Sequence, residues 1–379
     1  THMRSFGLLH FKRLLTGAEY ARRLVERAER CGVDLRTSVQ VLAVRPVGGE
    51  AGGGVTLEAV SPEHGVFTVR ARAVVLATGC REQPRSALKV PGSRPAGVLN
   101  TATALHLIDE MGHLPGREAV VFGSEFVGFS AAAMLHGAGA QVRCVVDDAP
   151  QRQGDLAGVA YFLWPRRVPL KAGYRIAEIA GEKRLEAVRL EPVAGPAAGS
   201  AGRSAVTVRC DTLVVAGRFT PNSELCAPAG IEVDAATRGP AIDNFYRTNV
   251  PGIFACGNVL RGAESADTAL SEGLRAAEAV KRYLDGTLPA GPALVVERSD
   301  DLAYVLPQRF VPGERPAGAR LSVRLKEFRL FPRVQAHTGG RRVGSAFKPK
   351  ATPVKTIVVK LDAGRLPEHA QSILVRLAD

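Results

Sequence analysis

Apolar and polar positions along the 379 residues fall into blocks whose period alternates between that of a helix and that of a strand. Thr16, with Glu19 three residues on, forms a capping box. Ala21, Leu24, Val25, Ala28 and Cys31 then recur at helical spacing until Gly32. A short strand is expected at 34–36. Alternation predicts three antiparallel strands at 39–44, 55–60 and 66–70, punctuated by Gly48, Gly49, Gly52 to Gly54, and Pro62 to Gly65. The run 73–77 reads as a buried strand. It leaves through Thr78 and Gly79, a small-residue exit with room for a ligand against the backbone. Prolines and glycines make 81–98 a linker, and 101–111 a helix follows.

The stretch 116–148 organises the rest. Residues 119–122 are an apolar run, Gly123-Ser124-Glu125-Phe126-Val127-Gly128 a turn, 126–135 a small-residue-rich helix, and 141–146 a second apolar strand ending in Asp147 and Asp148. This is the layout of a dinucleotide-binding βαβ unit, with an acid at the second strand end to meet a ribose hydroxyl. One position breaks the fingerprint. The motif takes glycine third, where backbone approaches a pyrophosphate, and here that residue is Glu125. A carboxylate at a helix N-terminus occupies or repels the charge such a turn attracts.

Beyond it, 149–169 reads as irregular, 175–180 with 184–191 as a hairpin, and 195–202 as a Gly/Ala/Ser/Pro-rich mobile loop. Strands at 205–209 and 212–216 lead to Gly217-Arg218. A strand at 253–256 is closed by Gly257-Asn258. The segment 267–284 is helical, with Ala269, Leu270, Leu274, Ala277 and Val280 on one face. Past Gly286, valine alternation and proline predict a small β domain.

Composition changes this picture at the C-terminal end. Residues 290–379 carry 16 Lys and Arg against 8 Asp and Glu, so they hold +8 of the formal net charge of +13. No stacking-aromatic or groove-reading motif accompanies the charge. It reads as a solvated basic surface rather than a nucleic-acid site. The six cysteines have no metal-ligand or Cys-x-x-Cys spacing, which excludes a zinc, iron–sulfur or dithiol motif in this text and suits a reducing cytoplasm. No apolar run spans a bilayer and no signal peptide opens the chain. Thr1-His2-Met3 reads as a cloning scar or the middle of a longer protein.

Taken in order, Val74-Val75-Leu76-Ala77-Thr78-Gly79, the βαβ at 123–147, Asp211 to Arg218 with Pro221-Asn222, and 248–258 with the helix after it resemble flavoproteins with two dinucleotide-binding domains, the pyridine nucleotide–disulfide oxidoreductase superfamily. The resemblance covers residues 15–285. Within it, Cys80-Arg81-Glu82 through Pro91-Gly92 and Arg94 to Val98 look like the flavin subunits of opine oxidases, hydrogen cyanide synthase and related amine dehydrogenases. It implies an α/β fold with two Rossmann-like domains, the first incomplete and interrupted by the second, plus a small β-rich C-terminal domain. The expected boundaries are 1–95 with 245–288 for FAD, 96–244 for an NAD-binding-like domain, and 289–379 for the basic β domain.

The resemblance further implies FAD as cofactor, with NAD as a second nucleotide. Thr78 and Gly79 pass the flavin, Val41 offers backbone to the adenine, and Gly257 and Asn258 stand where the family has Gly-Asp. Asn258 still offers hydrogen bonds but no charge. The helix near Asp267 aims its N-terminus at a reduced, anionic flavin. Gly123, Ser124, Glu125, Gly128, Asp147 and Gly217 are the positions to meet NAD, and Asp147 repels a 2′-phosphate. The family's first GxGxxG motif is not in this text and is expected upstream of residue 1. Expected partners are a small-molecule substrate and a partner subunit or a second copy, with no nucleic acid and no membrane. Cys80, Cys256, His106 and His113 read as packing or surface residues. Trp164 with Arg166 and Arg167 reads as structural, and Arg261, Glu264 and Asp267 follow the Gly-Asn turn within reach of a substrate. No residue is assigned a catalytic role. The rival is a catalytically silent subunit that docks a partner through its basic C-terminal domain.

Overall fold

A computed structural model describes residues 6–47, 53–88, 90–193, 204–312, 319–366 and 370–378. The loop expected at 195–202, and Gly48, Gly49 and Gly52, lie outside the described residues. In chain order the principal elements are α1 (Gly17–Arg30), β1 (Gln40–Pro46), β2 (Val55–Ser61), β3 (Gly65–Ala71), β4 (Val74–Leu76), β5 (Val98–Asn100) and α2 (Thr101–Leu105). Then come β6 (Glu118–Phe122), α3 (Phe126–Gly137), β7 (Gln141–Asp147), β8 (Leu170–Ala172), β9 (Tyr174–Ala180), β10 (Ala187–Pro192), β11 (Val206–Arg209), β12 (Thr212–Val215), β13 (Ile253–Ala255) and α4 (Ala266–Leu284). The C-terminal strands are β14 (Leu294–Arg298), β15 (Leu302–Leu306), β16 (Arg309–Phe310), β17 (Arg320–Leu325), β18 (Arg333–Thr338), β19 (Arg341–Phe347), β20 (Ile357–Leu361) and β21 (Ser372–Leu377).

The chain divides into two compact units. One comprises 1–27 and 82–219, the other 28–81 and 220–379. The first is built on a parallel sheet in the order β5-β12-β6-β7-β8. Its strands carry the runs AVVF, CVV and TLVV because both faces are covered there, which removes the need for alternation. Phe129, Leu135, Phe162 and Leu163 fill one face, and Ile176, Ile179, Leu185 and Leu190 the other. The latter come from an antiparallel sheet, β9-β10-β11, and the connection between its first two strands. Helix α3 is buried nearly all round, which explains its run of alanines.

The second unit holds the meander β1-β2-β3, the two-stranded parallel pair β4 and β13, and the eight-stranded sheet β15-β17-β20-β19-β18-β21-β14-β16. Tyr304 and Leu306 of β15 pack in one core with Val74, Leu76, Ile253 and Ala255. The C-terminal strands therefore share a core with the flanks of the β4/β13 pair.

Several local expectations need correction. Residues 34–36 form no strand: they are exposed and have no ladder partner among the described residues. The stretch 149–169 is not irregular. Asp155 caps a helical turn by accepting from the Gly158 amide at 2.8 Å, and Val159, Phe162 and Leu163 carry it into the core. The linker contains a short strand, Cys80–Glu82, and ends in β5. In α1 the capping box forms in both directions, Glu19 N to Thr16 Oγ1 at 3.2 Å and Thr16 N to Glu19 Oε2 at 2.9 Å. The buried residue of that helix, however, is Tyr20, drawn in by Phe6 and Phe11. In α4 the inward face is Glu272, Ala276 and Ala279, while Leu274 and Ala277 are exposed.

Candidate functional site

Each unit brings one set of the sequence-predicted residues together. In the second unit, β4 and β13 are parallel neighbours in register, Val74 opposite Ile253 and Leu76 opposite Ala255. Their carboxyl ends therefore leave the sheet side by side, as Thr78-Gly79 and Gly257-Asn258. Both glycines are left-handed, at φ 71° and 78°. A Cβ on Gly79 would meet nothing within 4 Å, so this backbone is open to a flat group laid against it. The exit is held in shape by Asn222. Thr78 Oγ1 donates to its carbonyl at 2.7 Å, and its Nδ2 donates to the Thr78 carbonyl at 2.9 Å. Val41 lies half-buried beside a bulge in β1.

The Gly257-Asn258 turn is fixed from beneath. Gly257 N donates to Glu272 Oε2 at 3.0 Å, and Asn258 Oδ1 accepts from the Glu264 amide at 3.1 Å. The Asn258 side chain thus braces the turn through its oxygen. Ser265 caps α4 by accepting from the Thr268 amide at 3.2 Å. Arg261, expected within reach of a substrate, is instead buried at 5% exposure and ion-paired with Glu272 and Glu264. Burial works against its charge, yet Glu272, Tyr304 and Glu264 hold the guanidinium above its ordinary pKa. Glu264 also takes Arg324 at 2.7 Å and Thr356, tying β17 and the loop before β20 to this turn. No signal in the sequence marked this network, because the apolar spacing of the helix placed Leu274 and Ala277, not Glu272, on the inward face.

Cys256 is buried, and burial together with Glu272 pushes its thiol up to about 11, so it stays a neutral packing group. His106 lies on the surface and pairs with Glu110 at 2.8 Å. Trp164 is exposed, at a single 3-10 turn. Among the described residues no group of three or more His, Cys, Asp or Glu is placed to hold a metal ion, and no helix is long and apolar enough to cross a membrane.

In the first unit the βαβ turn has the geometry of its motif. Gly123 sits at φ 122°, and a Cβ on Gly128 would lie 1.9 Å from the Gly123 carbonyl, so the helix can pack on the turn only with glycine there. Ser124 is fully buried, donating its amide to Asp147 Oδ2 at 2.6 Å. Asp147 is 5% exposed and also accepts from the Ala149 amide at 2.8 Å. It therefore braces the turn, and the acid that faces outward is Asp148, paired with Arg218 at 2.7 Å. Glu125 Oε1 lies 3.1 Å from where a Cβ on Gly217 would sit. Glu82, which sequence reasoning left unassigned, accepts from the Ala102 amide at 2.8 Å. Burial, the largest influence, raises its carboxyl above the ordinary value, against the opposing pull of the amides of Ala102 and Gly217.

A family model described as pyridine nucleotide-disulphide oxidoreductase matches residues 54–273. The sarcosine oxidase subunit alpha of Rhizobium meliloti is 26% identical over 257 residues, which is 66% of this chain and 23% of that protein. The mitochondrial dihydrolipoyl dehydrogenase of Caenorhabditis elegans is 24% identical over 229 residues, 59% of this chain and 44% of that protein. The chain thus spans less than half the length of these curated relatives. Among solved structures, T. acidophilum thioredoxin reductase superposes with a TM-score of 0.57 at 21% identity, over 74% of this chain and 84% of that one. A NAD-dependent persulfide reductase from A. fulgidus gives 0.53 at 17%, over 89% and 60%. These likenesses show the fold: α/β, with Rossmann-like sheets and a β-rich C-terminal region.

Proposed function

From the premise that the chain belongs to the pyridine nucleotide-disulphide oxidoreductase family, we propose that it is part of an FAD-dependent oxidoreductase. One observation carries this reading. Two adjacent parallel strands end together in left-handed glycines, and the backbone at Gly79 is uncovered. Ligands of open α/β sheets bind at such carboxyl ends. The residues present fit a flavin nucleotide. Gly79 and Gly257 allow close approach, Asn258 offers an amide donor, and the capped N-terminus of α4 puts the positive end of a helix dipole beyond the turn. When bound, FAD supplies the acceptor for a hydride. The chain's own residues orient it: Asn222 fixes the Thr78 exit, and the Arg261–Glu272 pair fixes the Gly257 amide.

The substrate class is a small amine or amino-acid-like molecule oxidised at a C–N bond. The match to a sarcosine oxidase subunit supports it, since sarcosine is itself a small N-methyl amino acid. That match, and one to a glutamate synthase small chain, also support a partner subunit. The second reading, a silent subunit docked through its basic C-terminal strands, is favoured by the exposed Phe331 and Phe347 rings, stacked at 6.5 Å in that region.

The test is the visible absorption spectrum of the purified protein, beside a Gly79→Val variant. Flavin absorption in the parent, lost or weakened by at least about tenfold in affinity in the variant, is expected. A colourless parent that cannot be reconstituted with FAD sinks the flavin reading.

A further inference from the structure

The βαβ of the first unit keeps the fold of a dinucleotide site without its chemistry. A pyrophosphate needs bare backbone at the second glycine position and unspent amides facing it, and a ribose needs a free acid at the end of the second strand. Each is spent. Glu125 stands at the glycine position, and its carboxylate lies against Gly217 on the facing strand exit, Oε1 3.1 Å from a Cβ placed there. The Gly217 amide also lies beside the half-buried Glu82. One oxygen of Asp147 accepts the Ser124 amide of the βα turn and the other the Ala149 amide, and Asp148 is engaged by Arg218.

The geometry points to a site that excludes NAD and NADP, with Glu125 as the excluding residue. The Glu125 side chain thus fills the place of the missing glycine and lies against the Gly217 exit. Removing bulk and charge at Glu125 restores the approach, whereas Asp147 and Gly128 already have the geometry the fold needs. On the flavin reading above, electrons then leave the flavin for an acceptor other than a nicotinamide. The exclusion itself does not depend on that reading.

The experiment is a titration of the full-length protein with NADH, read by nucleotide fluorescence and by calorimetry, so that flavin content and turnover do not enter. The wild-type protein is expected to show no saturation at micromolar NADH. Glu125→Gly is expected to bind saturably and at least about tenfold tighter. Glu125→Gln, which removes the charge and keeps the size, is expected to fall between them and guards against a glycine variant that fails to fold, as checked by thermal unfolding. Saturable micromolar binding by the wild type overturns the inference. So does an unchanged, weak response in the folded variants.

Discussion

At the scale of single residues, environment rather than identity sets the chemistry. Glu82 and Asp147 are carboxyls whose folded environments raise their pKa, burial being the largest cause for each. A carboxyl raised in the folded state holds its proton better than in the unfolded chain. Its stabilising share is therefore complete below the unfolded pKa, near 4.3 for Glu, and is lost as pH rises through the folded value. Glu82→Gln keeps a neutral group at every pH. It is expected to flatten the decline of melting temperature over that interval, with Asp147 retaining the remainder of the slope. Identical slopes in wild type and variant would show that Glu82 does not titrate in this way. The same residue was missed in the sequence because Cys80-Arg81-Glu82 sits in a proline-rich linker, where nothing local marks a buried acid.

At the scale of elements, α4 shows how a charged residue can choose a helix face. Hydrophobic spacing pointed to Leu274 and Ala277, yet Glu272 faces inward because Arg261 and the Gly257 amide are there to receive it. Breaking a buried pair leaves one charge uncompensated. Arg261→Met is expected to destabilise the protein by roughly 3–5 kcal/mol, whereas Arg261→Met with Glu272→Leu recovers most of the loss. Denaturant unfolding of the single and double variants measures this, and additive losses would contradict a coupled pair. The parallel strands were legible for the opposite reason. β6, β12 and the C-terminal half of β7 are covered on both faces, so their apolar runs signal their position directly.

At the scale of the whole molecule, the grouping of segments differs from the linear order. The basic C-terminal strands read as a separate small domain, but Tyr304 and Leu306 lie in the core that contains Val74 and Ile253. Each such large side chain is worth about 2–5 kcal/mol when truncated. Deletion of 289–379 is accordingly expected to unfold the second unit rather than trim it. Limited proteolysis and thermal unfolding of the shortened chain check this. A deletion that leaves the remaining transition unshifted would show that the C-terminal strands are an independent body.

The sequence by itself determined the elements and the order of the motifs. Periodicity, capping boxes and glycine exits are local properties, and the βαβ turn, Thr78-Gly79, Gly257-Asn258 and the misfit of Glu125 were all written in neighbouring residues. Tertiary structure alone decided which groups meet. It brought Glu82 to Gly217, turned Asp147 inward and left Asp148 outward, and set β15 in a core far from it in sequence. Asp147 is the last residue of β7 and Asp148 the first beyond it, so one step past the strand end separates a brace of the turn from an acid paired with Arg218. Which of the two acids is covered is fixed by segments distant along the chain, and no local pattern carries that information.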